Sequence, residues 1–192
     1  IVEVIDDADA AFEIVTIALR NGKDVVSASK KMIAENLQAL LELQQQTGKS
    51  FLYESAACAS IPVIRNLEEY YDNDLLHSIK AIVNGSTNFI LTKIIDEGLD
   101  FKQALLLAQQ LGFAESNPVL DVEGFDAVNK WTFLLTHAYG IVPNPNSILF
   151  NGIQNIHSSD ATVAKEKKQG IKLVAQAKKL NNGKVAAFVL PQ

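Results

Sequence analysis

Between Gly112 and Lys130 the chain gathers four carboxylates, Glu115, Asp121, Glu123 and Asp126, ahead of a lysine. Asp126 and Lys130 are four residues apart, so on a helix they share one face and can touch. On a surface, such a pair is an ordinary ion pair contributing about 0.3–0.5 kcal/mol. Two neighbours favour a site instead. After Lys130 the sequence is almost wholly apolar (Trp131, Phe133, Leu134, Leu135, Ala138), as expected of a core helix. The loop before it, with Pro118 and Gly124 bracketing acidic residues, resembles a ligand-holding loop more than a connector.

The elements that must position this stretch fall into two styles. Residues 1 to about 54 alternate: a short β-branched strand at Val2–Ile5, a helix at Ala10–Arg20 stopped by Asn21-Gly22, and a buried strand at Asp24–Ala28. Ser29 is placed to cap the next helix, which runs to about Gln46 and ends at Gly48; Phe51–Glu54 is another short strand. This is a parallel α/β pattern. After Pro62 the style changes. A longer strand is expected over Leu75–Val83, broken by Asn84-Gly85, and a helix from about Thr87 to Glu97 closed by Gly98. Asp100 and Gln103 form a capping box for a helix through Leu111, closed by Gly112. Asn117-Pro118 bars helix within a polar loop over Phe113–Glu123, and Gly124–Tyr139 is a mostly apolar helix. Asp160–Leu180 reads as one amphipathic helix, Asn181-Asn182-Gly183 as a turn and Val185–Leu190 as a strand. The expected fold class is α/β joined to α+β.

Composition narrows the function classes. The 192 residues carry a net charge of −5 and are 48% hydrophobic, enough for one good core. No run of eighteen apolar residues occurs, so no membrane partner is expected, and the N-terminus does not resemble a signal peptide. The acidic balance argues against nucleic acid. Lys165, Lys167, Lys168, Lys172, Lys178 and Lys179 read as a solvated face of the late helix. The single cysteine, Cys58, excludes an internal disulfide and makes a reducing, cytoplasmic setting the default. His77, His137 and His157 lack metal-ligand spacing; His137 is expected as a hydrogen-bonded interior residue. Cys58 is expected to be a buried, inert thiol, and Tyr53, Tyr70, Tyr71 and Trp131 are expected to pack.

The string Ala108, Gly112, Asn117-Pro118, Asp121, Gly124, Asp126, Lys130 resembles the signature of homoserine dehydrogenases. Three further segments resemble that family in the right order: Val25–Lys30, Tyr53–Pro62 and Asn84–Leu91. The resemblance implies a partial Rossmann-type parallel sheet over 1–62, the C-terminal portion of a dinucleotide-binding domain. A catalytic and dimerisation domain over 63–192 would follow, with a mixed sheet and helices on one face. The missing initiator Met and the ends of the chain lead to the expectation of a fragment, inactive alone.

The implied activity is NADP- or NAD-dependent interconversion of L-homoserine and L-aspartate 4-semialdehyde, a step of threonine and methionine biosynthesis. A small-molecule substrate and a homodimer or higher homo-oligomer go with it. By resemblance Lys130 is the acid/base, Asp126 orients it and the substrate, and Glu115 and Asp121 hold the amino-acid end of the substrate, with Ser86 beside them. Gly85, Gly112 and Lys30 line the cofactor, and Lys30, reaching the same cleft from the nucleotide-binding side, is also counted with the catalytic residues. Glu54 with the backbone carbonyls of Ala57, Ala59 and Ile61 is the implied site of a monovalent cation, sodium or potassium. Cys58 and Ser60 stand where glycines can stand in that segment.

The chemistry suits these roles. Hydride leaves a carbinol carbon only as the hydroxyl loses its proton, so a base must lie within hydrogen-bond reach. An ordinary lysine, pKa about 10.4, must be shifted to accept it, or pass it through water. In the reducing direction a charged lysine donates without tuning. A substrate ammonium needs carboxylate acceptors, each such bond contributing about 1.5–3 kcal/mol. The rival reading is a non-catalytic amino-acid-binding module. No G-x-G-x-x-G occurs in the chain, so tight dinucleotide binding by these residues alone is not expected.

Overall fold

The computed structural model describes residues 1–71 and 75–192. The chain divides into two compact units, Ile1–His77 with Asn129–Ser147, and Ser78–Val128 with Ile148–Gln192.

The first unit opens with β1 (Val2–Glu3), α1 (Ala8–Arg20), β2 (Val25–Ser27), α2 (Lys30–Thr47) and β3 (Phe51–Leu52), followed by α3 (Glu54–Cys58) and α4 (Val63–Tyr70). Its three strands are parallel in the order β1-β2-β3, with Val2 opposite Val26 and Val26 opposite Leu52. The helical crossovers follow from the sequence spacing. Asp7 caps α1, its Oδ1 accepting from the Ala10 N–H at 2.9 Å, and Gly48 ends α2 in the left-handed conformation at φ 64°. Ala11, Val15 and Leu19 of α1 and Met32, Ile33, Leu37 and Leu40 of α2 are buried. Each large apolar side chain buried this way contributes about 1.5–3 kcal/mol.

The second unit begins with β4 (Ser78–Ala81), α5 (Gly85–Glu97), α6 (Phe101–Gln110) and the one-turn α7 (Val119–Val122). Helix α8 (Phe125–Tyr139) starts here and enters the first unit after Val128. Then come β5 (Leu149–Phe150), α9 (Ser158–Glu166), β6 (Leu173–Lys179) and β7 (Val185–Pro191). The sheet order is β4-β6-β7-β5, antiparallel except for the parallel β5–β7 pair. Ala175, Ala177 and Val189 are buried on this sheet, and α5, which packs with α6, α7 and α9, buries Ile90, Leu91 and Ile94. The capping box of α6 is formed as expected from Asp100 and Gln103.

Five expectations are corrected. The helix expected over 160–180 is α9 followed by β6, so Lys178 and Lys179 lie on a strand rather than on the helix of Lys165. Ala, Gln and Lys favour helix, but pairing on both edges, with β4 and β7, overrides local preference here. The loop 113–123 contains α7, because a proline bars helix before itself yet starts one well; the Val122 N–H donates to the Pro118 carbonyl at 2.9 Å. The strand expected over 75–83 is confined to Ser78–Ala81, and Glu54 opens a helix instead of closing a strand. Ser29 makes no side-chain cap; its hydroxyl turns to Glu3 and the Ile5 carbonyl.

Candidate functional site

In the second unit, strand β4 delivers Asn84 to the N-terminus of α5, where it is 4% exposed. Its Oδ1 accepts from the Thr87 N–H at 2.8 Å and lies 2.9 Å from the Thr87 hydroxyl. Its Nδ2 donates to Asp121 Oδ1 at 2.6 Å and to Asp126 Oδ2 at 2.9 Å. Asp121 comes from α7 and Asp126 from the first turn of α8. The geometry thus brings two sequence-predicted acids onto one amide. Asp126 is 9% exposed, so its charge is held out of bulk water by groups that must satisfy it.

The other predicted residues of this unit frame that pair. Gly85 opens α5, and Ser86 donates through Oγ to the Phe113 carbonyl at 2.6 Å, tying the helix start to the loop after Gly112. Phe89 and Phe113 stack with centroids 4.3 Å apart on the same seam. Glu115 is exposed on that loop, and its carbonyl accepts from Gln109 Nε2 at 2.9 Å. The turn between α7 and α8 is shaped by Gly124, at φ 93°, packed on Gly152. A Cβ on Gly152 would lie 2.0 Å from the Val122 carbonyl oxygen, so the backbone of the acidic segment passes directly over it.

In the first unit, Lys30 is the first residue of α2. A cation there gains nothing from the helix dipole, which favours anions at that end. The Glu3 carboxylate at the carboxyl end of β1 accepts from the Ser27 and Ser29 hydroxyls and the Ile5 N–H. Glu54 uses both oxygens to accept the Ile64 and Arg65 N–H groups at 2.9 Å, capping α4. The Ile61 carbonyl accepts from the Val63 N–H, and Ala59 stands at φ 53°. Among the described residues no cluster of three His, Cys, Asp or Glu is placed to hold a metal ion. Cys58 is half-buried rather than buried; burial pushes its thiol up, with the nearby Lys130 charge opposing, so it is a poor nucleophile.

His137 is hydrogen-bonded as expected: Nδ1 lies 2.8 Å from Glu68 Oε1, and Nε2 lies 2.7 Å from the Tyr53 hydroxyl. Burial holds the imidazole below its usual pKa, with Glu68 opposing, and burial pushes the Tyr53 phenol up. The neutral ring therefore donates from Nδ1 to Glu68 and accepts from Tyr53 at Nε2. Trp131 is fully buried, whereas Tyr70 and Tyr71 are exposed and do not pack in the core.

Sequence reasoning missed Asn84 and Gly152. The signal for Asn84 was an N-cap residue ahead of Ser-Thr; nothing local said that its nitrogen would meet two acids. No local signal marked Gly152.

A three-stranded parallel sheet with helical crossovers and a separate mixed sheet with helices define a two-part α/β chain. The homoserine dehydrogenase NAD-binding-domain model matches residues 1–54, and the homoserine dehydrogenase model matches residues 62–192. The chain belongs to the homoserine dehydrogenase family. The Corynebacterium glutamicum homoserine dehydrogenase is 35% identical over 95% of this chain and 41% of its own length. The crystal structure of the enzyme from Thiobacillus denitrificans superposes with a TM-score of 0.95 at 34% identity, covering 100% of this chain and 44% of that one. A hyperthermophilic archaeal homoserine dehydrogenase mutant in complex with NADPH gives a TM-score of 0.78 at 32% identity, covering 100% of this chain and 54% of that one. The chain thus spans less than half the length of the curated relative. No helix among the described residues is long and apolar enough to cross a membrane.

Proposed function

We propose that the chain forms the catalytic part of an NAD(P)-dependent homoserine dehydrogenase, interconverting L-homoserine and L-aspartate 4-semialdehyde. The observation that carries this reading is the convergence of Asp121 and Asp126 on Asn84, at the start of the helix that bears Lys130. Asp121 and the exposed Glu115 are the anchors of a substrate ammonium. Lys130, one turn beyond Asp126, exchanges the proton of the substrate hydroxyl, and Asp126 orients it. Ser86, fixed on the Phe113 carbonyl, sets the edge of the substrate site.

The residues present suit a dinucleotide. Lys30, at the start of α2 in the part that matches the NAD-binding domain, is the proposed cation for it. Gly85 and Gly112, neither with a heavy atom within 4 Å of an added Cβ, leave open backbone for it. A bound nicotinamide supplies the hydride acceptor. The proposed domains, 1–62 and 63–192, would serve nucleotide and substrate respectively, as a homodimer or higher homo-oligomer in the cytoplasm. A monovalent cation at Glu54, Ala57, Ala59 and Ile61 would share Glu54 with the α4 cap.

The test is L-homoserine-dependent reduction of NAD or NADP by the intact protein. With Glu115→Ala, the homoserine KM should rise about tenfold, one charge-assisted hydrogen bond's worth, at unchanged cofactor KM. No homoserine-dependent reduction with either nucleotide would overturn the assignment; a loss of cofactor affinity alone would remove Glu115 from the substrate site.

A further inference from the structure

Asn84 sits where helix capping alone would accept several residues. Asn, Asp and Ser are comparably good N-caps, because each offers an oxygen to the N–H of the first turn. The cap in this chain takes only the oxygen of Asn84. That bond also settles the orientation of the amide, since a backbone N–H must face Oδ1; the nitrogen is thereby turned toward the acids. Nδ2 has two hydrogens, and two carboxylate oxygens lie within reach, Asp121 Oδ1 and Asp126 Oδ2. Asp would cap as well but bring a third negative charge and no donor. Ser would cap with one short hydroxyl that cannot reach both acids. Only Asn does both jobs.

We propose that Asn84 is a positioning residue that clamps Asp121 and Asp126 at a fixed separation, offsetting their repulsion and aiming them at a ligand ammonium. The choice of ligand rests on the homoserine dehydrogenase reading, whereas the clamp rests on the hydrogen bonds alone. Like charges this close resist joint ionisation unless donors compensate. The clamp supplies that compensation from a buried side chain fixed at its other end by Thr87, itself fully buried. The spacing of the acids therefore persists before any ligand arrives, and binding need not order them.

The test uses Asn84→Asp and Asn84→Ser, both retaining a cap so that folding is preserved. In Asn84→Asp of the intact protein, the L-homoserine KM should rise about tenfold or more at pH 8, with the cofactor KM within about twofold of wild type. The rise should shrink as pH falls toward about 6, because a proton on the introduced carboxyl restores one donor. Asn84→Ser should raise the KM without that recovery. A KM within about twofold of wild type for Asn84→Asp at pH 8, or a pH-independent fall of kcat with both KM values altered together, would overturn the clamp. A cycle of Asn84→Ser with Asp121→Asn, read as thermal midpoints, separates the two claims. Non-additive shifts support the clamp even if the wild type shows no homoserine turnover, in which case the activity reading fails alone; additive shifts overturn the clamp.

Discussion

The polar network around His137 in the first unit and the one around Asn84 in the second are built on different principles. In the first unit the Tyr53 hydroxyl donates to His137, and His137 donates to Glu68. Every strong donor in that line has its acceptor, and the line joins the end of β3, the middle of α4 and the end of α8. In the second unit two carboxylates from different elements converge on one amide, whose oxygen is itself taken by the cap of α5. A closed network rigidifies its surroundings and leaves nothing over. Two acids gathered on one amide suit a cationic ligand. The difference separates a framework from a site without reference to residue type, since both networks contain acids near a titratable partner.

The largest effect should come from the helix that follows the Asn84 network. Lys130→Ala should lower kcat by about 10²–10⁴-fold with little change in cofactor KM, as expected for loss of an acid/base group. Steady-state kinetics with near-normal kcat would break the assignment.

The next effect tests whether the fold holds the paired acids in place. Gly152→Ala would drive a methyl into the carbonyl of Val122 and the backbone of Glu123. Backbone cannot swing aside as a flexible side chain can. The variant should lose about 1–3 kcal/mol of stability and also raise the homoserine KM, because Asp121 lies on the displaced turn. A drop in thermal midpoint with unchanged KM would show that the acidic turn is insensitive to its support.

The smallest effect sharpens the closed side. Because burial lowers the His137 pKa below the unfolded value of about 6.5, the fold favours the neutral ring. That contribution is complete above the unfolded pKa and is lost as pH falls through the folded one. Relative to His137→Gln, the wild type should therefore lose stability between about pH 7 and pH 5. Denaturation midpoints that stay parallel across this range would mean that Glu68 fully offsets burial, and a wild type that gains stability as pH falls would mean that Glu68 outweighs it. Turnover at pH 8 should change far less in His137→Gln than in Lys130→Ala.

Much of this contrast was legible in sequence, but unevenly. The helices from Ala8, Lys30, Gly85, Phe101 and Phe125 were readable because their ends carry strong local chemistry, such as the Asp100–Gln103 box and the turn at Gly48. The acids and Lys130 were readable because they sit close together in the chain. Strand β6 was not, since its Ala, Gln and Lys prefer helix and only its partners β4 and β7 make it a strand. Asn84 was hidden for a related reason. Its cap role is local, over three residues, while its acids lie 37 and 42 residues away. Gly152 shows the same limit, because its value lies in what passes over it. His137 was legible as an interior residue, but its partners Tyr53 and Glu68 come from distant segments.

The central claim is that the paired acids select a ligand by its ammonium. The direct measurement compares kcat/KM for L-homoserine and for 4-hydroxybutanoate, which keeps the reacting hydroxyl and lacks the amino group, in wild type and in Asp121→Asn. Wild type should prefer homoserine by about 10²-fold or more, two charge-assisted hydrogen bonds' worth, and Asp121→Asn should narrow that preference by about tenfold while leaving 4-hydroxybutanoate nearly unaffected. Equal losses for both compounds, or a preference that does not change, would contradict the account.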